Sequence, residues 1–225
     1  VFEVGPGLGT LTVALAATAA RVISVELDTG MLGVLGETLT GLDNVELVHA
    51  DALAYDLTTL PPGSLLVANL PYNVATPVIV RALESRRFER MVFLVQREVG
   101  ERLVARPGDD AFGALSLIVE RFTSRRRVVR HVAPGAFMPP PKVTSSVVRL
   151  DVDASVEPDP DLIALIHQSF AHRRKTLKRN LVYAAYPEER IDAALAALGL
   201  DPRVRAEALG LDVFERLRVL LESAG

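Results

Sequence analysis

Cysteine is absent from all 225 residues, which excludes disulfides, thiolate metal sites and cysteine nucleophiles. It leaves the compartment open, because secreted proteins can lack cysteine too. Nor is there an excess of positive charge: 25 Lys and Arg stand against 28 Asp and Glu, a net charge of −3. A chain that neutralises many phosphates over its whole surface normally shows a basic surplus, so any nucleic-acid site here must be a local patch. No apolar run approaches the roughly 20 residues of a membrane span, which argues against a membrane partner. The four histidines, His49, His131, His167 and His172, form no ligand spacing, so no metal site is expected. Targeting segments, internal repeats and low-complexity tracts are missing as well. The chain opens inside what reads as a core strand, so further residues are expected upstream.

What remains is a globular composition, 49% hydrophobic and 24% charged. The first part alternates apolar β-branched runs with helical spacing, the signature of a parallel sheet covered on both faces. Strands are predicted at 1–4, 22–26, 45–49, 65–68 and 91–95, with helices over 11–17, 31–39, 78–83 and 98–105. The unit reads as an α/β doubly wound sheet. Runs at 127–132 and 143–150 flank a proline-rich loop and suggest a hairpin at the sheet edge. After Asp151 the texture changes to an acidic, proline-bearing stretch followed only by helical patterns, three or four short helices. Residues 1–153 and 154–225 are therefore expected to be separate domains, the second small and all-α.

Two loops carry chemistry. Gly5-Pro6-Gly7-Leu8-Gly9 follows a strand and precedes a helix, where absent side chains admit a ligand to the backbone and the helix start offers free N–H groups. The spacing is G-x-G-x-G, with Thr10 where a dinucleotide fingerprint has its third glycine. That favours an adenosine-type ligand without a pyrophosphate, while a plain strand-to-helix turn is the alternative. Asn69-Leu70-Pro71-Tyr72 ends another strand. An amide acceptor, a stiff turn and an aromatic ring suit the gripping of a planar amine beside a nucleotide-like cofactor.

Three carboxylates complete the set. Glu26, at the end of the second strand, can accept both hydroxyls of a ribose or can cap the next helix. Asp51, after the third strand, can take a hydrogen bond from an adenine amino group, or equally cap a helix. Glu3 lies inside the first strand, where an uncompensated carboxylate is costly, so it is expected to hold loop amides or the amino end of a cofactor.

Taken together these residues resemble the ribosomal RNA adenine N6-dimethyltransferases, whose bacterial members modify two adjacent adenosines near the 3′ end of small-subunit (16S) rRNA. The resemblance rests on Phe2-Glu3-Val4-Gly5-Pro6-Gly7-Leu8-Gly9-Thr10, Glu26-Leu27-Asp28, Asp51-Ala52-Leu53 and Asn69-Leu70-Pro71-Tyr72-Asn73. It continues through Gln96-Arg97-Glu98-Val99, Phe137-Met138-Pro139-Pro140-Pro141-Lys142-Val143 with Ser145, and Arg173-Arg174-Lys175-Thr176-Leu177. These occur in family order from the first residue to about Asn180. The resemblance implies a Rossmann-like class I methyltransferase fold with a mostly parallel doubly wound sheet, a cytoplasmic location and a monomer. Its partner would be rRNA within an immature 30S subunit.

It also implies S-adenosylmethionine as cofactor, held by Glu3, Gly5, Gly7, Gly9, Glu26, Asp51, Ala52 and Asn69. Catalysis would fall to Asn69, Leu70, Pro71, Tyr72 and Phe137, with Tyr72 and Phe137 as stacking faces unless they simply pack in the core. Basic residues cluster twice, at Arg121, Arg125, Arg126, Arg127 and Arg130 and at Arg173, Arg174, Lys175, Lys178 and Arg179. RNA contact is expected from Arg125, Arg126, Arg127, Arg173, Arg174, Lys175 and Lys178, with Arg174, Lys175 and Lys178 near one face of a helix. Solvated surface is the other reading of both clusters. Relatives carry a basic segment before the first strand that helps close the cofactor site, so a form beginning at Val1 is expected to hold cofactor less tightly. A large-subunit resistance methylase and an assembly factor with mainly a binding role are the competing functions. Leu70 and Asn73 within the motif look more like the small-subunit group.

Overall fold

The computed structural model describes residues 1–138 and 140–222. Strands β1 (Phe2–Val4), β2 (Val22–Glu26), β3 (Val45–His49), β4 (Ser64–Asn69) and β5 (Phe88–Gln96) are joined by helices. These are α1 (Thr10–Ala16), α2 (Thr29–Thr38) and α3 (Ala75–Glu84). Then come α4 (Arg97–Val104), α5 (Ala114–Arg121), β6 (Thr123–Val132) and β7 (Ser145–Val152). The chain closes with α6 (Pro160–Ser169), α7 (Leu177–Tyr183), α8 (Glu188–Ala197) and α9 (Leu211–Glu222). Among the described residues no helix is long and apolar enough to cross a membrane.

The seven strands form one sheet in the order β3-β2-β1-β4-β5-β7-β6. The first five run parallel, while β7 is antiparallel to β5 and β6 antiparallel to β7. Reversal of strand order between β1 and β4 makes a switch point, and in open α/β sheets ligands gather at the carboxyl ends of strands there. Glycine loop and Asn69 motif both follow strands that meet at this point. The expected edge hairpin is present, but β6 starts at Thr123, earlier than its apolar residues suggest. Its arginines are tolerated because an edge strand has a face open to water.

Burial explains why the strands read as they do. Phe2, Val22, Leu66, Phe88, Met91 and Val148 are almost wholly inaccessible, and Phe2 packs against Tyr55 and Phe88 at ring separations of 5.3 and 6.0 Å. Helix α5 escaped sequence reading because its apolar run, Leu117-Ile118-Val119, matches a buried strand equally well at that length.

Two compact units result: Val1–Gly100 with Phe122–Glu157, and Glu101–Arg121 with Pro158–Gly225. The later division falls close to the composition change after Asp151. Residues 101–121 group with the second unit because α5 packs against α6 and α9. A ladder of rings, Phe112 to Phe170 at 6.2 Å and Phe170 to Phe214 at 6.0 Å, fills that unit.

Candidate active site and nucleic-acid interface

In the first unit a cleft of about 500 Å³ opens where β1, β2, β3 and β4 end, within the usual range for small-ligand sites. Gly5, Glu26, Asp51 and Ala52 line it, together with Leu27, Asp28, Asn73 and Val74. Glu26 is 8% exposed, and its Oε1 accepts the N–H groups of Leu27 and Asp28, both at 2.9 Å. Those bonds fix the carboxylate and leave Oε2 without a bond from the described residues. Capping of α2 falls instead to Asp28, whose side chain accepts from Gly30 N at 2.8 Å. Asp51 divides its duties: Oδ1 accepts from Leu53 N at 2.8 Å and organises the turn, while Oδ2 takes no bond from the described residues.

Gly5 has φ of +66°, a region that a side chain resists. Gly9 caps α1 in the left-handed region, and a β carbon there would stand 3.1 Å from Thr38 and 3.2 Å from Leu35. Neither Gly7 nor Gly9 lines the cleft. Glu3 sits behind the loop, 1% exposed. Its Oε2 accepts the hydroxyls of Thr12 at 2.7 Å and Ser24 at 2.8 Å, not loop amides as expected, because those side chains face it from α1 and β2 while the loop runs on past the strand end. Oε1 is buried without a partner, and burial pushes the carboxyl above its ordinary value against the pull of the two hydroxyls.

Beside the cleft, a second pocket of about 310 Å³ is lined by Asn69, Leu70, Pro71, Tyr72 and Phe137, with Met138 and Pro141. All five expected catalytic positions thus meet, although Phe137 is far away in sequence. Pro71 belongs to both cavities. Asn69 closes β4 with its side chain exposed, and Leu70 is anchored by its N–H to Leu94 O at 3.2 Å. Tyr72 is half-buried, with Oη 2.7 Å from Ser145 Oγ. Pro139, part of the sequence signature, lies outside the described residues. Arg81 of α3 also supports the cleft, which sequence reading missed: Nη1 donates to Ala52 O at 3.2 Å and Nη2 to Tyr55 O at 2.5 Å. A lone arginine on a helix gives no signal of such backbone partners.

The family profile for ribosomal RNA adenine dimethylase matches residues 1–217. The chain belongs to that family. Ribosomal RNA small subunit methyltransferase A of Deinococcus radiodurans is 45% identical over 94% of this chain and 72% of its own length. The Moorella thermoacetica protein of that name is 40% identical over 99% and 82%. Among solved structures, a dimethyladenosine transferase from Plasmodium falciparum superimposes with a TM-score of 0.80 at 28% identity, covering 96% of this chain and 87% of that one. The 23S rRNA methyltransferase ErmE gives 0.69 at 27% identity, over 98% and 90%. Fold and family are those of S-adenosylmethionine-dependent adenine dimethylases acting on ribosomal RNA. The cleft suits that cofactor: it is lined by a fixed carboxylate with one open oxygen at Glu26 and by a second open oxygen at Asp51, while the orphaned buried oxygen of Glu3 lies behind the glycine loop, outside the lining.

The basic clusters are rearranged by the fold. Arg174 and Lys175 do not share a helix face with Lys178, because Thr176 caps α7 by accepting from Arg179 N at 3.2 Å, and the helix starts only at Leu177. Arg174 and Lys175 lie exposed in the preceding turn. Lys178 is held by Glu188 at 2.9 Å and Asp192 at 2.7 Å, which also raise its pKa. Arg173 donates to Asp110 O at 3.1 Å, and Arg179 stacks over Tyr183 at 5.0 Å. On β6, Arg125 and Arg127 are exposed opposite Asp151 and Arg149, whereas Arg126 faces Leu150 on the other side of the sheet. Arg121 is engaged by Glu215 at 2.7 Å.

Proposed function

We propose that this chain transfers methyl groups from S-adenosylmethionine to N6 of two adjacent adenosines near the 3′ end of small-subunit rRNA, within immature small subunits in the cytoplasm. The observation that carries this reading is the shared wall: Pro71 borders both the cleft of Glu26 and Asp51 and the pocket of Asn69, Tyr72 and Phe137. Bound in the cleft, S-adenosylmethionine supplies an electrophilic methyl group on a sulfonium. Glu26 Oε2 accepts from the ribose hydroxyls, Asp51 from the adenine amino group, and the Glu3 carboxylate draws the amino end.

An exocyclic adenine amine is a weak nucleophile because its lone pair is shared with the ring. Asn69 Oδ1 and the Leu70 carbonyl accept its two N–H bonds, which draws the nitrogen toward a tetrahedral shape and aims the lone pair at the methyl. No base has to act before attack: as the N–C bond formed the S–C bond would break, the sulfur would leave as a neutral thioether, and the methylated nitrogen would lose its extra proton to solvent afterwards. The target base leaves its stack to enter, and Tyr72 and Phe137 replace the lost stacking, worth roughly 1–3 kcal/mol per base. Arg174 and Lys175, with Arg125 and Arg127, contact phosphates. Relatives named for the small subunit, at 37–45% identity, favour this substrate over that of ErmE.

Methyl transfer from labelled S-adenosylmethionine to immature small subunits and to naked large-subunit rRNA tests the reading. Dimethyladenosine in small subunits alone is expected. Label on large-subunit rRNA would assign the resistance-methylase role, and tight subunit binding without label would assign an assembly role.

A further inference from the structure

The contact between Tyr72 and Ser145 spans 73 positions of sequence and fixes the one ring that the Asn69 motif contributes. Ser145 is 0% exposed. It is the first residue of β7, in register with Gln96 of β5, and the loop that carries Phe137 leads directly into it. One buried hydroxyl thus lies at the root of both aromatic walls of the 310 Å³ pocket. We infer that Ser145 is a positioning residue: it pins the outer end of the Tyr72 ring, and with it the direction and offset of the ring axis, so that Tyr72 serves as a stiff stacking plate for the substrate base, and the Tyr72 hydroxyl takes no part in proton transfer. This rests on the reading of that pocket as the adenine site.

Stacking strength depends on ring offset and tilt, and alignment of the amine with the methyl tolerates little displacement, so a ring free to swing about its Cα–Cβ bond would lose rate more than binding. A proton relay, moreover, needs an onward acceptor. The Tyr72 hydroxyl is bonded only to a serine sealed in the core, and among the described residues that pair leads no further.

The test is a double-mutant cycle on the full-length chain: Tyr72→Phe, Ser145→Ala and the two together, with single-turnover transfer to immature small subunits and cofactor binding measured separately. Each single variant should lose about tenfold in rate, the value of one ordinary hydrogen bond, with cofactor affinity and the shape of the pH–rate profile unchanged. The double variant should be no slower than either single one, because both remove the same interaction. Losses that multiply would overturn the tether. So would wild-type rates in both singles, or a Tyr72→Phe far slower than Ser145→Ala with one limb of its pH profile gone. If Ser145→Ala does not fold, Tyr72→Phe decides against Tyr72→Ala: its rate should fall between those of Tyr72→Ala and wild type, and equality with either overturns the proposal. Asn69→Ala in the same assay separates the underlying reading, since full activity there removes the adenine site itself and not only the tether.

Discussion

Gly5 lies directly against Pro71: a β carbon on Gly5 would stand 3.1 Å from Cγ and 3.3 Å from Cδ of the proline ring. The start of the glycine loop and the turn of the Asn69 motif are therefore one packed unit, and under the proposed function this contact couples the cofactor site to the substrate site. Gly5→Ala should destabilise the chain by roughly 1–2 kcal/mol, from left-handed backbone strain, and shift Pro71 as well. Gly7→Ala, with the same strain and open space around it, should cost only the strain. Thermal melts of both variants, with transfer rates, check this: equal effects would show that the Pro71 contact carries no weight.

Glu3 makes a pH prediction. Burial raises its folded pKa, so between the unfolded value and the raised folded value the native state binds more protons. Its contribution to stability is therefore greatest on the acid side of that window and declines as pH rises through it. Glu3→Gln keeps an acceptor for Thr12 and Ser24 and removes the charge, so denaturant melts across that window should lose this decline. Stability at neutral pH should be no lower than wild type, while cofactor affinity falls. Unchanged affinity would leave Glu3 with a purely structural role.

Arg174 and Lys175 are exposed in a turn, whereas Lys178 is engaged by Glu188 and Asp192. Replacing Arg174 and Lys175 together by Ala should reduce the slope of log affinity against log salt by about 1.4–1.8, roughly 0.7–0.9 per lost phosphate contact. Lys178→Ala should leave that slope alone and lower the melting temperature. Filter binding to rRNA over a salt series separates the two, and an unchanged slope in the double variant would retire that patch.

Arg81 holds the backbone of Ala52 and Tyr55 and so positions the loop that carries Asp51. Arg81→Met should destabilise the chain by about 2 kcal/mol, as expected for charged hydrogen bonds lost at a half-buried site. Cofactor binding should weaken in parallel. Titration calorimetry against a cofactor lacking the adenine amino group gives the sharper reading: if the loop acts through Asp51, wild type and variant should bind that analogue with more nearly equal affinity.

Much of this protein was legible before folding. Glycine spacing, strand-end carboxylates and the Asn69 motif are local features, because a strand-to-helix turn and the residue that follows a strand are dictated by neighbours in sequence. Family order supplied the remainder of the motifs, including Phe137 and Ser145 as letters without a contact. Other decisions belong to long-range packing. Helix α5 and the grouping of residues 101–121 depended on partners in α6 and α9. Lys178 lost its apparent freedom to carboxylates on the next helix, and Arg126 turned away from Arg125 and Arg127 because successive strand residues face opposite sides. The bond from Tyr72 to Ser145 has no local cause at all. It arises because β7 runs antiparallel beside β5, and that register alone brings a buried hydroxyl to the ring.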